Sequence, residues 1–304
     1  MKAIVTTTIN PPTEAILRYA EIAEKNDYYL IIVGDKKTPH EEYKKLAKDN
    51  LSVIYLHPDK QEKEYPKLSE MIGWNCIQRR NFGFLEAQKR KVELIATVDD
   101  DNIPYEDWGS FIMVNTKNII DLYQPDVPVF DPLSVTEHSF LWHRGFPIDL
   151  VNMRSSKYVG QHPREILIQA DLWDGDPDID AMARMIYHPI VKFGEINPFA
   201  GTCISPFNSQ NTFISGKVLK YYFLYPGIGR MDDIWASYNV QKQFPDSVVY
   251  SRASVYQQRN VHDLSTDLEN EMYGIKHTMD FLLNKDVLPE RAKKAYAEYQ
   301  KYFH

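Results

Sequence analysis

Through its first hundred residues the chain alternates short apolar, β-rich runs with amphipathic stretches. Residues 2–6 read as an opening strand, and Thr13-Glu14 starts a helix that runs to about Glu24. Tyr28-Tyr29-Leu30-Ile31-Ile32-Val33 is a second apolar run, closed by Gly34-Asp35. A lysine-rich helix is expected over 41–48 and a third strand over 52–56. Residues 78–91 carry a helical pattern with Phe82, Leu85 and Ala87 on the buried side, and 94–98 form a fourth strand. Alternation of this kind argues a parallel sheet with helices on both faces.

Beyond residue 105 the pattern loosens. Proline recurs at 125, 128, 132, 147, 163, 177, 189, 198 and 206, so long loops and short strands are expected there. A helix follows Gly229-Arg230, a β-rich run covers 247–256, and 267–284 and 289–302 read as terminal helices. No repeat or linker divides the chain, which reads as one domain over 1–304, with segments of about 1–105, 106–265 and 266–304.

Composition changes this picture little. The 304 residues are 43% hydrophobic and 25% charged, ordinary for a globular protein. A net charge of −7 without a long basic run argues against nucleic acid or an anionic membrane as the main partner. Two cysteines make neither a disulfide framework nor a zinc set, and no run of 18 apolar residues occurs. A soluble, cytoplasmic protein without membrane insertion is the expectation.

The chemistry concentrates where the fourth strand ends. Leu94-Ile95-Ala96-Thr97-Val98 runs into Asp99-Asp100-Asp101, and Pro104 is expected to stop any regular element. Open α/β sheets bind ligands at this edge, and three adjacent carboxylates call for a cation such as a divalent metal. A solvated acidic turn is the competing reading. Asp35 falls on the same edge if its strand runs parallel, placed to accept from a nucleobase imide or a ribose hydroxyl. Arg79-Arg80-Asn81 opens a helix, where guanidinium and backbone donors suit phosphate; a solvated basic pair is the alternative. Asp232-Asp233 precedes an apolar helix, either as caps or, if one faces the cleft, as a general base. His262 could complete a metal shell begun by the triplet; a structural histidine is the commoner reading of a lone His, and the residues alone do not select it. Residues 171–180 hold five acids around Trp173 and read as a sugar-contacting loop.

In order along the chain, several segments together resemble a known family. They are Pro11-Pro12-Thr13-Glu14, Val33-Gly34-Asp35-Lys36-Lys37-Thr38-Pro39, Arg80-Asn81-Phe82-Gly83-Phe84-Leu85, Asp99-Asp100-Asp101-Asn102, Gly175-Asp176-Pro177-Asp178-Ile179-Asp180-Ala181, Pro206-Phe207-Asn208-Ser209-Gln210-Asn211-Thr212, Asp233-Ile234-Trp235 and Gln258-Arg259-Asn260-Val261-His262-Asp263. This series resembles the glycosyltransferase-like domain of STELLO proteins. More distantly, through Arg144-Gly145-Phe146-Pro147, Leu172-Trp173 and the run 229–235, it is similar to the reversibly glycosylated polypeptides, which include UDP-arabinopyranose mutases.

The resemblance implies an α/β fold of GT-A type, a Rossmann-like, mostly parallel sheet flanked by helices, with an irregular acceptor-side second half. It implies a nucleotide-diphosphate sugar donor, expected to be a UDP-sugar, a glycan or small-molecule acceptor, and Mn²⁺ or Mg²⁺. On this basis Asp101 is the main metal ligand, Asp99 meets ribose or the metal, and His262 completes the shell. Asp35 and Arg80 meet the nucleotide, with Thr7, Asn81, Asp100, Trp173 and Asp174 completing the donor-contacting set. Asp233 stands where inverting members keep the base, with Asp232 and Arg144 as further catalytic candidates. The chain departs from the mutase-like pattern at Val151, where a second arginine would stand. Three readings follow: a metal-dependent glycosyltransferase, a pyranose/furanose mutase with self-glycosylation, and a non-catalytic scaffold.

Overall fold

The computed structural model describes residues 1–258 and 263–303. Its first part runs β1 (Lys2–Thr8), α1 (Glu14–Asn26), β2 (Tyr28–Gly34), α2 (His40–Asp49), β3 (Val53–Leu56), α3 (Pro58–Glu64), α4 (Pro66–Ile72), α5 (Arg80–Lys89) and β4 (Leu94–Val98). The strands lie in the order β3-β2-β1-β4, all parallel. Their apolar runs are continuous because both faces are covered. Val5, Ile31 and Val33 pack with Phe82 and Leu85 of α5, while Ile4, Leu30 and Ile32 pack with Ile16, Tyr19 and Tyr43 on the other side. Thr13 caps α1 by accepting from the Ile16 N–H at 3.2 Å. Gly83 lets α5 approach the sheet closely, since a Cβ there would stand 2.4 Å from Val5 Cγ1. Parallel order delivers Thr7, Asp35 and Asp99 to one sheet edge.

The second part comprises β5 (Asn102–Pro104), β6 (Thr116–Pro125), β7 (Ser156–Ile166), β8 (Ile168–Gly175), α6 (Ala181–Tyr187), β9 (Phe199–Gly201), β10 (Asn211–Ser215), α7 (Asp232–Gln243), β11 (Val248–Gln257), α8 (Leu264–Leu282) and α9 (Glu290–Gln300). The same sheet continues from β4 through β10, β8, β11, β9, β6 and β7, now with mixed directions, and β5 pairs with β11.

Pro104 ends β5, opposite Val255, as the last residue of a short strand. Two sequence expectations fail here. Strands are not uniformly short, because β6 and β7 form a ladder of ten and eleven residues. β7 is the sheet's last strand, where Pro163 is tolerated. The acid-rich stretch read as a sugar-contacting loop begins as the buried central strand β8. Among the described residues no helix is long and apolar enough to cross a membrane.

Candidate active site

Two neighbouring cavities open at the edge where β1, β2 and β4 end. The outer one, about 250 Å³, is lined by Thr7, Thr8, Asn10, Asp35, residues 75–77, Arg80 and the whole Asp99–Asp101 triplet. The inner one, about 210 Å³, is lined by Ile77, Asp99, Asp101, Arg144, Gln210, Arg230, Asp232, Asp233 and Gln257. Asp99 and Asp101 stand in the wall of both.

In the outer cavity the carboxylates have separate tasks. Asp35 accepts from the N–H groups of Lys36 at 2.5 Å, Asn75 at 2.7 Å and Cys76 at 3.4 Å, so it fixes the loop that forms the opposite wall. Thr7 donates to the Val33 carbonyl at 2.9 Å, tying β1 to β2. Asp100 accepts from the Thr8 hydroxyl and from Asn10 Nδ2 at 3.0 Å, while its carbonyl takes the Thr13 hydroxyl at 2.5 Å. It clamps the loop between β1 and α1. Burial pushes its carboxyl above the usual range, and the Thr8 and Asn10 hydrogen bonds oppose that rise.

Neither arginine of the predicted basic pair is solvated. Arg79 is fully buried, stacked 3.5 Å from the Trp74 ring centroid, and donates to Gln61 and Ser69. Arg80 is 1% exposed; it pairs with Asp99 and donates to the Ser209 carbonyl and hydroxyl at 2.8 and 2.6 Å. Its role is therefore to hold Asp99 beside the cavity. Asn81 does not reach a cavity at all: its amide exchanges hydrogen bonds with the Leu224 backbone at 2.9 and 3.0 Å.

The inner cavity is built around Arg144. Its guanidinium donates to Asp178 at 2.6 Å, to Asp233 at 3.1 and 3.3 Å, and to the Arg230 carbonyl. Asp233 also accepts from the Ser209 N–H at 2.9 Å and hydroxyl at 3.1 Å. Ser209 thus joins the two arginine–aspartate pairs into one network. Among the described residues Asp232 accepts from one side-chain donor, Gln78 Nε2, at 2.9 Å. Burial raises the Asp232 carboxyl well above the ordinary range, Asp233 beside it adds to the rise, and Arg144 opposes it. Of the adjacent pair, Asp232 therefore suits proton abstraction better than Asp233, whose two oxygens are engaged.

Trp173 and Asp174 do not line either cavity. Trp173 is in the core and donates to the Asp176 carbonyl at 3.1 Å, while Asp174 accepts from Tyr105 and the Phe193 N–H. His262 lies outside the described residues. Among those described, no three His, Cys, Asp or Glu side chains gather to hold a metal. Asp99 and Asp101 nevertheless fit a hard divalent ion, which commonly takes one or two carboxylates and fills its shell with water and phosphate oxygens. Sequence reasoning assigned no role to Gln78, Ser209, Gln210 or Gln257. For Ser209 and Gln210 the signal is the polar run 208–212 between Phe207 and Phe213.

No protein-family model matches the chain, and no curated protein matches it. Solved structures do. Glucosyl-3-phosphoglycerate synthase from Mycobacterium tuberculosis, in complex with Mn²⁺, UDP and glucosyl-3-phosphoglycerate, superposes with a TM-score of 0.51 at 13% identity, over 95% of this chain and 81% of that one. The same enzyme with phosphoglyceric acid gives 0.50 at 13% identity, with the same coverage. The fold is of GT-A type.

Proposed function

We propose that this protein is a metal-dependent glycosyltransferase that moves a sugar from a nucleotide-diphosphate donor, with UDP as the expected nucleotide, to an acceptor hydroxyl. The observation that carries the reading is the shared wall: Asp99 and Asp101 belong to both cavities, with Asp232 only in the inner one. The outer cavity takes the nucleoside diphosphate, with Thr7 and the Asp35-fixed loop around the base and ribose. Asp101 and Asp99 would hold a divalent ion, which when bound would supply Lewis-acid neutralisation of charge on a diphosphate leaving group. Arg80, paired with Asp99, holds that carboxylate in place beside the cavity. In the inner cavity Asp232, oriented by Gln78, takes the proton of the attacking hydroxyl. The STELLO-like order of motifs supports the same assignment. Arg144, which stands in the motif shared with the mutase-like group and where that resemblance would put self-glycosylation, is engaged by Asp178, Asp233 and a carbonyl, which favours transfer over the mutase reading.

The test is thermal. UDP at about 100 times its dissociation constant, with Mn²⁺, stabilises a one-site binder by roughly 2.7 kcal/mol. The expected melting shift needs both ligands and disappears in Asp101→Ala. Absence of any shift with UDP, GDP or CDP removes the reading. Incubation with UDP-sugar alone then separates transfer from isomerisation.

A further inference from the structure

The inner cavity has a chemical preference of its own, and reading it rests on the transferase assignment. Both guanidiniums in its wall already face acids. Arg144 sits between Asp178 and Asp233, and Arg230 donates to Glu271 at 3.0 Å with Asp267 at 3.4 Å. The same wall presents Asp99, Asp101, Asp232 and Asp233. No lysine lines it among the described residues.

Gln257 supplies the observation that points to a ligand. The residue is 3% exposed and lines the cavity, yet among the described residues its Oε1 has no hydrogen-bond partner. Asn102, its register partner across β5 and β11, also leaves Oδ1 unpartnered. Opposed residues of an antiparallel pair project from the same face of the sheet. A buried amide oxygen left unpaired is costly, and a ligand that donates to it removes the cost. What Gln257 Oε1 lacks is a hydrogen-bond donor. Hydroxyls can donate to it; ionised carboxylates and phosphates cannot, and they would also meet the acids.

We infer that the inner cavity takes an uncharged, hydroxyl-rich ring that donates to Gln257, and that it discriminates against an acidic one. The ring belongs either to the donor's transferred sugar or to the acceptor, and two arms of one experiment separate these sources. Calorimetry on the full chain with Mn²⁺ compares UDP, UDP-glucose and UDP-glucuronic acid; a second arm, with UDP and Mn²⁺ present, compares glucose with 3-phosphoglycerate. In at least one arm the neutral ligand binds tenfold or more tighter than the acidic one, and that arm names the source. Gln257→Leu reduces the neutral preference several-fold and leaves UDP affinity unchanged. The inference is overturned, with the transferase reading intact, if UDP binds but acidic ligands bind as well as neutral ones, or if no sugar adds to UDP binding. An unchanged preference in Gln257→Leu overturns it too. If UDP itself does not bind, the transferase reading falls and this inference with it.

Discussion

The two cavities share a wall but are assembled by different physics. The outer one comes from strand-end residues of a parallel sheet, and its carboxylates are held mostly by backbone N–H groups, hydroxyls and an amide close at hand. The inner one is assembled from side chains as far apart as Ile77 and Gln257, and its geometry depends on Arg144 and its buried acids. The first is a by-product of the frame. The second is a polar construction inside it, and the chemistry specific to this chain belongs there. That division predicts that inner-cavity changes strike turnover and stability, whereas outer-cavity changes strike nucleotide affinity.

The largest effect should follow Asp232→Asn. Losing a general base lowers turnover by about 10²–10⁴-fold, while the melting shift given by UDP and Mn²⁺ persists. Loss of that shift would merge the two cavities into one functional unit. The pH profile sharpens the assignment. Asp232 works in its ionised form and its pKa is raised by burial and by Asp233, so turnover climbs with pH through that raised value. Gln78→Leu removes a donor to the carboxylate and should move this rising limb to higher pH; an unmoved limb would assign the base elsewhere.

Arg144→Ala comes next. It strands Asp178 and Asp233, which are 1% and 4% exposed in their side chains, and removing one partner of a buried pair costs about 3–5 kcal/mol. Denaturant midpoints measure this directly. A cost near that of a surface pair would show that the inner cavity does not depend on its arginine. Asp100→Ala acts on the other side. It frees Thr8 and Asn10 and should weaken UDP binding by about 1 kcal/mol, the worth of a typical net hydrogen bond, without touching the pH limb of turnover.

The same division explains what the sequence disclosed. β1, β2 and β4 are buried on both faces and read as unbroken apolar runs, so Asp35 and the triplet were legible as strand-end acids. α5 was read as one-sided, yet every residue from Arg80 to Ala87 is buried, because chain around Leu224 covers its other side. No local pattern announces that cover. Arg80 and Ser209 meet across 129 residues, and such pairings have no period to read. β8 misled for a related reason: Asp171 and Asp174 give it the composition of a loop, and only their distant partners let a strand bury them.

Asp171 offers the smallest and cleanest probe of that acid burden. It lies in β8 and accepts from Gln169 at 2.8 Å and Ser254 at 2.7 Å, and among the described residues no cation forms an ion pair with it. Burial pushes its carboxyl up to about 7, against about 3.9 for an unperturbed aspartate. A folded-state pKa above the unfolded one means the native protein holds the proton more tightly. The associated stability is fully present below pH ~3.9 and is lost progressively as pH rises to about 7, at about 1.4 kcal/mol per unit of difference. Asp171→Asn cannot ionise, so melting temperatures measured from pH 4 to 7 should fall less steeply than in the unsubstituted chain, and the two curves should run parallel above pH 7. Identical slopes in both proteins would mean that Asp171 is ionised in the fold. The second half would then carry one more uncompensated buried charge than its hydrogen bonds can support, and the contrast with the backbone-held acids of the outer cavity would grow wider.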